Sequence, residues 1–95
     1  MPEMHFHIRW PDGVEEACYS PSTIVTEHFQ APADYPLADF VARARTALNT
    51  ASERVRSKFG MGCAQAMVQI ASIEATAARF ASIPNATVRV ERFER

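Results

Sequence analysis

YPLADFVARARTALNTASERVRSKFGMGCAQAMVQIASIEATAARF, residues Tyr35–Phe80, decides the fold, because two helical heptad patterns meet in it at Gly60-Met61-Gly62. Pro36 pushes Tyr35 out of the helical region and pre-sets its own φ for a first helical position, so the first helix starts there. From that point Leu37, Val41, Ala44, Leu48, Ala51 and Val55 recur at alternating spacings of four and three, a continuous apolar seam. Asp39 near the positive end and Arg54, Arg56 and Lys58 near the negative end suit the helix dipole, and Asp39 reaches Arg43 at i+4. Gly60 is the natural stop. Cys63, Ala66, Ile70, Ile73, Ala77 and Phe80 then repeat the seam, and the short connection predicts two antiparallel neighbours. The second helix carries a further apolar surface, Met67, Val68, Ala71, Ala75 and Ala78, beside a polar stripe of Gln65, Gln69, Ser72, Thr76 and Arg79. A helix this apolar is expected to be covered on two sides, by the first helix and by a sheet or another subunit.

Working outward, Met4, Phe6, Ile8 and Trp10 alternate with His5, His7 and Arg9, the period of a half-buried strand. Pro11-Asp12-Gly13 reverses the chain into Val14 to Tyr19 as a β-hairpin. With Trp10 opposite Val14, Arg9 falls opposite Glu15 as a cross-strand ion pair. Ser20-Pro21-Ser22 ends the second strand, and Thr23 to Phe29 suits a short helix capped by Ser22, although Ile24 and Val25 also suit a strand. Pro32 predicts an irregular stretch up to the first long helix. After Ile83-Pro84-Asn85, Ala86, Val88 and Val90 alternate as a last strand, followed by a charged tail, Arg92 to Arg95. The reading is an α+β fold of order ββααβ, with the helical hairpin packed on one face of a small three-stranded sheet. Three strands cannot close a barrel, so two edges stay open, and antiparallel and mixed orders both remain possible.

The chain of 95 residues, 47% apolar and 22% charged, has room for one modest core, read as a single domain over 1–95. A core of this size makes self-association a reasonable way to bury more surface, so a homo-oligomer is expected. A net charge of −1 argues against a nucleic-acid partner held by whole-domain positive charge. Acids crowd residues 1–35 and bases crowd residues 36–60, an asymmetry that suggests attraction between those thirds, within a subunit or between subunits. Cys18 and Cys63, an N-terminus without a signal-peptide layout and the lack of an apolar run long enough to span a bilayer point to the cytoplasm, free thiols and no membrane partner.

Four side chains qualify as candidate ligand-binding residues: Cys63, His5, His7 and Tyr19. Cys63 opens the second helix, where unsatisfied N–H groups lower a thiol pKa; the same position is also the first small knob of the seam, which needs no reactivity. His5 and His7 share a strand face that His28 could join as a metal set, but no nearby carboxylate or thiol spacing completes a metal signature, and no metal or cofactor is expected. Gly60-Met61-Gly62-Cys63 lacks the context of a phosphate loop and reads as a hairpin turn. Arg43, Arg45, Arg54 and Arg56 lack the interleaved aromatics of a nucleic-acid surface. No catalytic motif emerges.

The phrases Arg9-Trp10-Pro11-Asp12-Gly13, Cys18-Tyr19-Ser20-Pro21-Ser22, Tyr35-Pro36-Leu37-Ala38-Asp39-Phe40-Val41 and Ala51-Ser52-Glu53-Arg54-Val55-Arg56, leading to Phe59-Gly60, resemble a small bacterial nitrogen-starvation-response family encoded beside a nitrilase and a radical-SAM protein. The resemblance runs from Met4 to Phe93 and implies a cytoplasmic role in nitrogen scavenging, with nitrile or cyanide assimilation as its setting. It carries over no catalytic residues. The expectation is an accessory or interaction protein that is not an enzyme, self-associates and binds another protein of its pathway. The alternative is a small enzyme or ligand carrier using Cys63 or the His5, His7 face with Tyr19.

Overall fold

In the computed structural model, which describes residues 3–95, the helical hairpin lies across one face of a sheet. The single-domain reading also took in Met1 and Pro2, which lie outside the described residues. The elements in chain order are β1 (Met4–Arg9), β2 (Glu15–Ser20), α1 (Val25–His28), β3 (Ala33–Pro36), α2 (Leu37–Phe59), α3 (Ala64–Ala78) and β4 (Thr87–Glu94).

β1 and β2 form the expected hairpin. The Trp10 N–H donates to the Val14 carbonyl and the Gly13 N–H to the Trp10 carbonyl, while Asp12 accepts from the Val14 N–H. Gly13 takes φ +89°, which a side chain would resist. Arg9 faces Glu15, as the alternation predicts, and their side chains pair at 3.2 Å. Ser22 accepts from the Ile24 N–H just ahead of the single turn of α1 rather than capping that helix itself.

The sheet has four strands, not three, in the order β2-β1-β4-β3, so the element order is ββαβααβ. All the strand pairings are antiparallel. The added strand is the segment read as irregular after Pro32. It is short and outermost, where a missing proline N–H is tolerated, and Arg89 of β4 holds Asp34 across the register at 3.3 Å. β4 also outruns its expected end, since the residues read as a charged tail pair with β1 as far as Glu94. A register shift opposite His7 and Ile8 accommodates an extra residue at Glu91, after which Phe93 packs against the core again.

α2 runs from Leu37 and stops at Gly60, whose φ of +85° and N–H bond to the Arg56 carbonyl finish the helix. Gly62 serves a different purpose: a Cβ there would sit 2.8 Å from Ser52 Oγ, so the turn closes tightly only without a side chain. Ser52 Oγ then accepts the Cys63 N–H at 3.0 Å, fixing the start of α3 against α2. The core lies between hairpin and sheet. Phe6, Ile8, Val88 and Val90 rise from the strands to meet Phe40, Ala44, Leu48 and Ile73. Trp10 and Phe29 each lie against Phe40, with ring centroids 5.7 and 5.3 Å apart.

One packing expectation is met on one side only within the single chain. α3 is covered by α2 along Ala66, Ile73 and Ala77, but Met67, Val68, Ala71, Ala75 and Ala78 all face outward, and Val68 is 69% exposed. The polar stripe borders the sheet instead, because α3 lies beside the β2 edge and turns Gln69 toward it. Within the single chain, the ion pairs among the described residues do not join the acidic third to the basic third. Asp39, Glu53 and Glu74 take Arg43, Arg56 and Arg45, while Glu15 and Asp34 of the acidic third pair with Arg9 and Arg89.

Candidate functional site

The strand pattern sends Met4, Phe6 and Ile8 into the core and leaves His5, His7 and Arg9 on the sheet face opposite the helices. Tyr19 of β2 lies directly across from His5, and their rings meet edge to face with centroids 6.0 Å apart. Burial, reinforced by the neighbouring Cys63 and Glu3, pushes the Tyr19 phenol up to about 12. Tyr19 therefore stays protonated and acts as a hydrogen-bond donor at neutral pH.

Three of the four sequence-level candidates, His5, Tyr19 and Cys63, are linked in this way through Tyr19. His7 stands apart, one row along the sheet, with Nε2 2.8 Å from Glu94 Oε1. That bond, before any other influence, holds the Glu94 carboxyl below the usual carboxylate range. The remainder of the open face is a ladder of paired charges: Arg9 bridges Glu15 and Glu91, and Arg89 joins Asp34 and Glu91.

Cys63 is half-buried at the N-terminal boundary of α3. Cys18 is fully buried, and burial pushes its thiol well above the ordinary value, which makes it inert at neutral pH. His28 ends α1, where its carbonyl accepts from Arg43. Among the described residues no three or more histidine, cysteine, aspartate or glutamate side chains converge in a group able to hold a metal ion.

Two contributors escaped the sequence reading. Gln69 accepts the outward-pointing Tyr19 N–H at 2.9 Å, standing in for a neighbouring strand. A groove of about 370 Å³ follows that boundary, lined by Glu16 and Tyr19 of β2 and by Gln65, Val68, Gln69 and Ser72 of α3. Periodicity places Gln69 on a polar stripe, but nothing local says which neighbour that stripe meets. Arg43 is the other. It donates to the His28 carbonyl and to Asp39, and its guanidinium lies 5.0 Å from the centre of the Tyr35 ring, clasping the α1–β3 connection to α2.

These features define a class first: a small α+β protein with a four-stranded antiparallel sheet roofed by a helical hairpin. The chain belongs to the family of the nitrogen starvation-induced protein NitG, whose family model matches residues 5–93. Searches of curated proteins and of solved structures returned no match. No helix among the described residues is long and apolar enough to cross a membrane.

Proposed function

We propose that this protein is a non-enzymatic accessory or interaction protein of a cytoplasmic nitrogen-starvation pathway concerned with nitrile assimilation, and that it works as a homo-oligomer that also binds another protein of that pathway. The observation that carries this reading is the uncovered outer face of α3, where Met67 and Val68 lie exposed. Phe59 and Met61, at the end of the hairpin, are exposed as well. Apolar side chains of this size outside a core mark surfaces that association covers. The family's link to nitrogen starvation supports the setting. Affinity isolation from nitrogen-starved cells, with the co-purifying proteins identified by mass spectrometry, tests the partner: a nitrile-converting enzyme or another pathway protein is expected, and its repeated absence counts against the reading.

A second reading, a small enzyme or ligand carrier, is favoured by one observation, the placing of Cys63 beside a protonated Tyr19 that also meets His5. Growth on a nitrile or on low nitrogen separates the two. A Cys63→Ser strain grows normally under the accessory reading and fails if the thiol performs chemistry.

A further inference from the structure

The two edges of the sheet differ in what they offer to another strand. β3 is four residues long and has Pro32 just before it and Pro36 at its end, so it is poorly equipped to accept a neighbour. β2 has neither protection. The Trp10–Val14 bond and the unbroken register place Glu16, Cys18 and Ser20 in hydrogen bonds with β1 and turn the backbone groups of Glu15, Ala17 and Tyr19 outward. Of those outward N–H groups, only that of Tyr19 meets a partner among the described residues, and the partner is the side chain of Gln69. Glu15 and Ala17 are exposed.

We infer that the β2 edge pairs with the β2 edge of a second copy of this chain, antiparallel about a two-fold axis at Ala17, joining two four-stranded sheets into one. This inference rests on the self-association proposed above and assigns it a surface.

The residues of β2 fit such a pairing on both faces. Ala17 lies on the axis, where a small side chain lets the two backbones approach and exchange N–H and carbonyl bonds. The same register sets Glu15 of one copy opposite Tyr19 of the other. Tyr19 is protonated at neutral pH, and on pairing its hydroxyl turns from its neighbours Cys63 and Glu3 to donate to the Glu15 carboxylate across the junction. The two copies of Glu15 are held apart, each near its own Arg9. On the helical side, Gln69 swings off the Tyr19 N–H as the new strand takes its place. Val68, which lines the groove beside that edge, is then brought to the partner's α3, so that burial of apolar surface accompanies the strand bonds.

The closing experiment reads amide hydrogen exchange by NMR at low and high protein concentration, together with sedimentation. Protection of the Glu15 and Ala17 amides is expected to rise with concentration, whereas the Glu16 and Cys18 amides are protected throughout. Ala17→Lys sets two like charges on the axis and weakens dimerisation roughly fivefold or more, as does Ala17→Asp, and mixing the two variants restores a heterodimer. Because residue 17 is exposed in the single chain, both variants keep the wild-type circular dichroism. Dimers that persist while the Glu15 and Ala17 amides exchange freely, or that ignore both charges, overturn the edge assignment and leave self-association standing. A chain that sediments as a monomer at every concentration overturns both.

Discussion

Along one flank of the molecule, β3 and the start of α2 are closed with care: prolines bound the outer strand, Asp34 is held by Arg89, and Arg43 clasps the preceding loop through His28, Asp39 and Tyr35. Along the opposite flank, β2 donates a hydrogen bond to the Gln69 side chain of α3 across an open groove, beside a helix surface of methionine, valine and alanine turned to solvent. Both flanks belong to one small chain with little surface to spare. The contrast teaches that closure is achievable here with ordinary means, and the flank left open is the surface to which the association proposed above is assigned.

The largest effect tests the closed side. Phe40 is fully buried among Trp10 and Phe29, so Phe40→Ala is expected to cost about 3–5 kcal/mol in chemical denaturation. Next comes the joint between the two helices. Gly62→Ala forces a methyl into the space of Ser52 Oγ and is expected to cost about 1–3 kcal/mol, a loss relieved in part by Ser52→Ala. Arg43→Ala removes a carbonyl bond, an exposed ion pair and a ring contact together, for about 1 kcal/mol in the same assay. Val68→Asp sharpens the comparison from the open side. Stability of the single chain stays within about 0.5 kcal/mol of wild type, because the side chain is exposed, while self-association falls.

The smallest effect belongs to the sheet face between the flanks. His7 holds the Glu94 carboxyl below its usual range, so folding favours the ionised form. That contribution is fully present above the unfolded carboxylate value of about 4.3 and is lost as pH falls through the lower folded value. Between about pH 5 and 3.5, wild type should therefore lose slightly more stability to urea than Glu94→Gln.

Much of this architecture is legible in the residues because its boundaries depend on local backbone chemistry. Pro36 and Gly60 delimit α2, and Pro11-Asp12-Gly13 closes the first hairpin, since a fixed φ or a positive φ acts without help from distant contacts. The hairpin register that set Arg9 against Glu15 also sets His5 against Tyr19. β3 was hidden for the opposite reason. Four residues that follow one proline and end on another carry too little alternation, and the segment is a strand only because β4 lies alongside it. The seam that faces α2 was legible, but which remaining side of α3 meets the sheet was hidden, since only packing decides that. That is why Gln69 read only as a member of a polar stripe, and why the approach of Cys63 to Tyr19, which joins residues far apart in sequence, had no local sign.

The central claim is that the β2 and α3 flank is completed by a second copy of the chain. Sedimentation equilibrium across a concentration series tests it most directly. The account predicts a mass that climbs from that of one 10.6 kDa chain to twice that value as concentration rises into the micromolar range and above. A mass that stays at one chain across the whole series would contradict it.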